Sequence, residues 1–202
     1  FLLVPVFASD RQTRADQILK CTREGKTCLA VSRILAGLLI VAVLYVLCMT
    51  LFLALLNASF DFKGLDTSLQ LLVSVAVFLP VTVGQMELLI AGAGLVSLLA
   101  VAGFTLFLSG RMKSVAAASV TAFVFLVLPV IFYMMLGNNL GNWIRCLLPA
   151  GGVGMVNSFT YAALNTDFAY VGNQAVWLPC VMMTAAAAEA VLFTVLGVAG
   201  WC

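Results

Sequence analysis

Side chains able to do chemistry are sparse in this chain of 202 residues, so their placement decides what they can do. Histidine is absent, which removes the commonest general base and the commonest metal ligand. Gly25-Lys26-Thr27 has the tail of a phosphate-binding loop, but the glycine required five residues earlier is Lys20, and no strand precedes it. The chain does not bind ATP by that loop, and energy for any work would arrive from a partner. Glu189 stands near the middle of a long apolar run, where an exposed charge costs at least ~2.5–3.5 kcal/mol. It must face protein or water, or carry a proton. Two roles follow: a polar contact inside a helix bundle, or a group on a translocation path. Thr184 and the alanines 185–188 and 190 around it make a small-residue surface suited to close helix packing. Glu87 lies just inside another run, where its carboxylate reaches the interface. Cys21 and Cys28, without histidines nearby, make a poor metal site, and no metal is expected.

The elements that must hold these groups follow from composition. Apolar residues make up 64% of the chain and charged residues 9%, against about 45–50% and about 25% in soluble domains. With a mean hydropathy of +1.17, this excludes a secreted disulfide scaffold, a disordered tail and a nucleic-acid binder. The expected fold class is all-α, a polytopic membrane helix bundle forming a single transmembrane domain over 1–202. Four runs, 31–56, 85–109, 115–136 and 175–199, are each long enough to cross a ~30 Å hydrocarbon layer. The opening residues 1–7 read as the end of a span whose beginning is missing. Leucine-rich 69–79 is too short to cross and is expected to be interfacial or re-entrant, or a lead-in to the next span.

Basic residues set the orientation. Arg11, Arg14, Lys20, Arg23, Lys26 and Arg33 belong to the segment 8–30 or border it, and Arg111 and Lys113 to the turn 110–114. An alternating topology places all of these on the inner side with the C-terminus, and leaves Lys63 and Arg145 outside. Ala15, Ile18, Leu19 and Thr22 recur at helical spacing, which predicts an amphipathic surface helix on anionic lipid or on a docking partner, capped by Ser9 or Asp10 and ended by Gly25. On the outer side, 137–174 is too apolar to stay in water and predicts two short helices dipping into the outer leaflet. Trp143, Phe159 and Tyr161 there are candidates for an outer gate, against the plainer alternative of an aromatic belt. Pro129 predicts a kink in its span, and Gly92, Gly94 and Gly103 predict close helix approach.

The segment Ser9-Asp10-Arg11-Gln12 through Leu19-Lys20-Cys21-Thr22-Arg23-Glu24-Gly25-Lys26, and on into Ser32-Arg33-Ile34-Leu35-Ala36, resembles the cytoplasmic loop of ABC type-2 transporter permeases. That family has an acidic residue, a short helix and a Leu-x-x-Thr-x-x-Gly-Arg-like run ahead of a basic residue opening the next span. Asp10 stands where glutamate is usual and Lys26 where arginine is usual. The resemblance implies a permease with six spans per subunit, of which this chain carries the end of the second through the sixth. It also implies an ATPase-coupling surface comprising Asp10, Arg14, Leu19, Thr22, Gly25 and Lys26. The implied partners are cytoplasmic ABC ATPase subunits, which bind the ATP, and a second permease copy, so the chain has no cofactor of its own and is no enzyme by itself. The implied location is the cell membrane, multi-pass, with a cytoplasmic C-terminus. Two competitors remain at this point: an ion-coupled secondary carrier with Glu189 as its proton site, and an integral-membrane enzyme. The latter is disfavoured by the missing histidine and by the lack of paired carboxylates on one membrane face.

Overall fold

The computed structural model describes residues 3–15, 27–73, 79–136, 139–149, 151, 159–165 and 167–201. The chain is an all-α helical bundle, and among the described residues four helices are long and apolar enough to cross a membrane. In chain order the described elements are α1 (Pro5–Gln12), α2 (Thr27–Ser59), the single turn α3 (Leu69–Leu72), α4 (Val83–Arg111), α5 (Val115–Met135), α6 (Asn139–Cys146), α7 (Phe159–Leu164), β1 (Phe168–Val171), β2 (Gln174–Trp177) and α8 (Leu178–Trp201).

Helix α4 is the central element. It packs most extensively on α8, because small residues let the two backbones approach. A Cβ added at Gly103 would meet the Ala190 carbonyl oxygen at 3.5 Å, and one at Gly197 would meet the Phe107 Cα at 3.8 Å. Gly94 lies against the Tyr45 ring, whereas Gly92 has nothing near it and marks no close approach. Rings lock the same junction: Phe104 lies 5.0 Å from both Phe125 of α5 and Phe193 of α8. Helix α2 is different. At ~50 Å it exceeds a ~30 Å hydrocarbon layer, and its only buried residues are Ala30, Ile34 and Gly37, all near its start.

The order of the helix ends follows from their caps. Thr82 and Gln85 form a reciprocal capping box at the start of α4, and Ser114 accepts from Ala117 N at the start of α5. The run from Leu69 begins and ends on one face: Ser68 pairs with Thr82, Leu69 N donates to Val81 O at 3.0 Å, and Val83 N donates to Thr67 O at 3.1 Å. This segment therefore leaves and returns to the same end of the bundle.

Several boundaries differ from the sequence expectations. The break placed between residues 7 and 8 falls inside α1, which begins at Pro5 because proline is pre-set for a first helical position. Ser9 and Asp10, expected to cap the amphipathic helix that follows, lie inside α1, where the Ser9 hydroxyl donates to Pro5 O at 2.5 Å; most of that amphipathic stretch lies outside the described residues. The last span begins at Leu178 rather than at 175, because Gln174–Trp177 forms a strand. That strand pairs antiparallel with Phe168–Val171 across Gly172-Asn173, and Gly172 takes the left-handed φ of +58° that a tight hairpin needs.

Helix α1 closes one end of the bundle. Its first turn has no side-chain cap of its own. Instead Ser109, from the last turn of α4, accepts from Phe7 N at 2.9 Å and Ala8 N at 3.0 Å, and donates to Val4 O at 2.6 Å. Phe7 and Ala8 are fully buried, and Leu3, Phe7, Ala30, Ile34, Ala102 and Leu106 form one apolar cluster beneath them. Arg11 reciprocates by donating to Arg111 O at 3.0 Å and Gly200 O at 3.1 Å, carbonyls at the C-terminal ends of α4 and α8. Ser109→Ala should therefore destabilise the folded chain by about 1–3 kcal/mol, read as earlier unfolding in mixed-detergent titration. Ser59→Ala, at an exposed helix end, should change it by less than about 0.5 kcal/mol; equal shifts for the two would refute the cross-chain cap.

Candidate functional site

The basic end is built from α1 and one end of each of four spanning helices. Arg11, Arg14, Arg33, Arg111 and Lys113 gather there, because the starts of α2 and α5 and the ends of α4 and α8 share that face. Asp10 pairs with Arg33 of α2, whose guanidinium also donates to Val6 O at 3.2 Å and lies 6.0 Å from the Phe7 ring. The two side chains retain 20% and 31% of their exposure, so the carboxylate of Asp10 is already committed to its own chain. Arg14 lies beyond α1, exposed, with a left-handed φ of 59°. Leu19, Thr22, Gly25 and Lys26 lie outside the described residues, as does most of the amphipathic stretch around them.

Glu189 is half-buried near the middle of α8, about one turn from the buried Ala186 and from Phe193, which packs on Phe104 of α4. The hydroxyls closest to it in sequence serve their own helix: Thr184 donates to Cys180 O at 2.9 Å and Thr194 to Ala190 O at 2.6 Å. No hydrogen bond or ion pair joins Glu189 to any other described residue. Glu87, one turn into α4, accepts from Asn57 Nδ2 of α2 at 2.9 Å, which fixes it at the opposite end from Asp10.

That opposite end carries a cap made of α6, α7 and the hairpin. Asn139 pairs with the backbone of Tyr170 in both directions at 2.8 Å, and Trp143 Nε1 donates to the same carbonyl at 3.2 Å. Trp143 is thus a tether between α6 and β1. Phe159 lines an apolar hollow of about 260 Å³ with Trp177, Pro179 and Met183, while Tyr161 is exposed. These three candidate gate residues sit in separate surroundings rather than around one described passage. Sequence reasoning passed over Arg145, which is the cap's anchor: its side chain keeps 2% exposure and faces Asp167 at 3.5 Å. A lone charge in Trp143-Ile144-Arg145-Cys146-Leu147-Leu148 was the available signal, since a buried charge requires a partner. Ser109 and Asn139 carried no such signal. Among the described residues no group of three His, Cys, Asp or Glu could hold a metal.

Cysteines distinguish the two ends. Cys28 is exposed at the start of α2, and Cys146 is buried beside Arg145. Burial pushes the Cys146 thiol up to about 11, with Asp167 adding to the rise and Arg145 opposing it. At pH 8 roughly a thousandth of Cys146 is thiolate. A hydrophilic maleimide at pH 8 should therefore modify Cys28 and leave Cys146 untouched until the chain is denatured; equal labelling of both in the folded protein would contradict the buried cap.

Compared with family models, curated proteins and solved structures, the chain matches none of them, so its function must be argued from its own residues and their placement.

Proposed function

We propose that this chain is the transmembrane subunit of an ABC transporter of the type-2 permease kind, moving its substrate by alternating access driven by a separate ATPase. The observation that carries the reading is the docking of α1. The segment with the permease-like spelling begins in α1, and α1 is bonded to the ends of α2, α4 and α8 through Arg33, Ser109 and Arg11. A displacement of that segment would reach three spanning helices at once through short, charge-assisted or buried bonds, which is what a lever between a motor and a bilayer needs.

Two further features support partnership. The long face of α2 is apolar and unburied, with Leu39, Leu47 and Leu51 each at least 60% exposed, so lipid or another subunit must cover it. Glu189, near the middle of a span, has no hydrogen-bond or ion-pair partner among the described residues, and a charge there is tolerated only against protein or water. A second permease copy would supply that surrounding. The cell membrane, with the basic end and C-terminus in the cytoplasm, fits the gathering of Arg11, Arg14, Arg33, Arg111 and Lys113.

A second reading, an ion-coupled carrier with Glu189 as proton site, is favoured by the same mid-span carboxyl. One experiment separates the two. On the transporter reading, the intact protein purified from its native membrane retains an ATPase subunit, and joint replacement of Arg14, Leu19 and Lys26 by Ser releases it while the unfolding transition stays unchanged. Purification without any ATPase, together with loss of proton-driven uptake in Glu189→Gln, would overturn the transporter in favour of the carrier. Asp10→Asn should behave differently from the triple variant, lowering stability by about 1 kcal/mol through the Arg33 pair.

A further inference from the structure

A hollow of about 410 Å³ opens at the end of the bundle away from the basic face, between the last turns of α2, the loop 60–67, α3 and the first turns of α4. Its volume falls in the range of small-molecule sites, roughly 300–1,000 Å³. Phe60, Leu65 and Leu72 supply apolar walls, and two charged residues, Glu87 and Lys63, are part of its lining. The Asn57 amide holds Glu87 at 2.9 Å, and the Asn57 carbonyl accepts from Phe60 N at 3.1 Å and Phe62 N at 2.9 Å. One residue thus fixes both the carboxylate and the rim. Asp61 and Phe62 are held in the left-handed region, with φ of 51° and 55°, a conformation that non-glycine residues adopt at a cost. Lys63 reaches Asp61 at 3.5 Å, but both side chains are about four-fifths exposed, at 82% and 79%, and such a pair yields easily to a competing anion.

We infer that this hollow binds the head of a zwitterionic phospholipid, with the ammonium group on Glu87 and the phosphate on Lys63. The chemistry is set by where the hollow lies. It sits where two spanning helices end and begin, so amphiphiles of the adjoining leaflet meet it first. Apolar walls take the start of the acyl chains. A fixed carboxylate in an apolar recess calls for a cation, and a cationic side chain at the same rim calls for an anion; a zwitterionic head satisfies both, whereas an anionic lipid would bring a phosphate to Lys63 but no cation to Glu87. The inference does not depend on whether a motor grips the other end of the chain.

The test uses the full chain purified in detergent with equal amounts of a phosphatidylethanolamine and a phosphatidylglycerol of matched acyl chains, and native mass spectrometry of the lipid retained. Preference for the ethanolamine lipid should be about tenfold, the effect of one charge-assisted hydrogen bond. Glu87→Gln should abolish the preference, and Lys63→Met should lower retention of both lipids. Leu72→Trp, at an exposed wall position that bears no charge, should empty the hollow and abolish the preference even if Glu87→Gln fails to fold. Equal retention of the two lipids, a preference that survives Glu87→Gln or Leu72→Trp, or a lipid-free dimer of the chain that shields Glu87 would overturn the inference.

Discussion

A helix end leaves backbone groups that its own ladder cannot satisfy, and near a membrane those groups find little water. That deficit organises the basic end of this chain. The first turn of α1 has donors without a local cap, and α4 and α8 end in carbonyls without local donors. Ser109 answers the first need, and Arg11 the second, across separations of 100 to 189 residues in sequence. Each helix end is completed by another helix, so α1 cannot leave without opening the ends of two spans, and neither span can shift without disturbing α1.

The two ends of the bundle are therefore built on different principles. At the basic end, polar groups meet in reciprocal caps over a small apolar cluster that includes Phe7 and Leu106. At the other end, a cap of short helices and a hairpin is pinned by Arg145 and Asp167; one apolar hollow lies between this cap and α8, and another lies among the ends of α2 and α4. A stiff junction at one end and recesses at the other are what a device needs if force enters on one side and an amphiphile is handled on the other. The mid-span carboxyl of Glu189 lies between the two, on the helix that both ends share.

How much of this the sequence disclosed depends on the range of the interaction concerned. The spans were legible because a bilayer imposes length and apolarity on every residue of a crossing helix, and the gathering of Arg11, Arg33 and Arg111 at one end followed from their parity along the chain. Helix limits were less legible because they depend on remote partners: nothing near Phe7 announces that Ser109 will cap it. Pro5 did carry a local signal, outweighed by the polar pair Ser9-Asp10. The hairpin had its turn written in Gly172-Asn173, but the apolar Ala175-Val176-Trp177 merged with the following span. Glu189 was visible as a carboxyl in an apolar run; what surrounds it depends on molecules beyond the chain. Of the residues proposed for coupling, Asp10 and Arg14 are among the described ones, Asp10 bound to Arg33 and Arg14 exposed.

Hydrogen exchange of the full chain in micelles, read by mass spectrometry on peptides covering residues 4–12, tests the junction most directly. An isolated helix of this length would fray and exchange at once. Docked on Ser109 and the buried cluster, the amides of Phe7 and Ala8 should exchange as slowly as those in the buried stretch of α4 around Leu106. Exchange as fast as at the exposed turn around Arg14 would mean that α1 is not fixed to the bundle, and that no lever joins the basic segment to the spans.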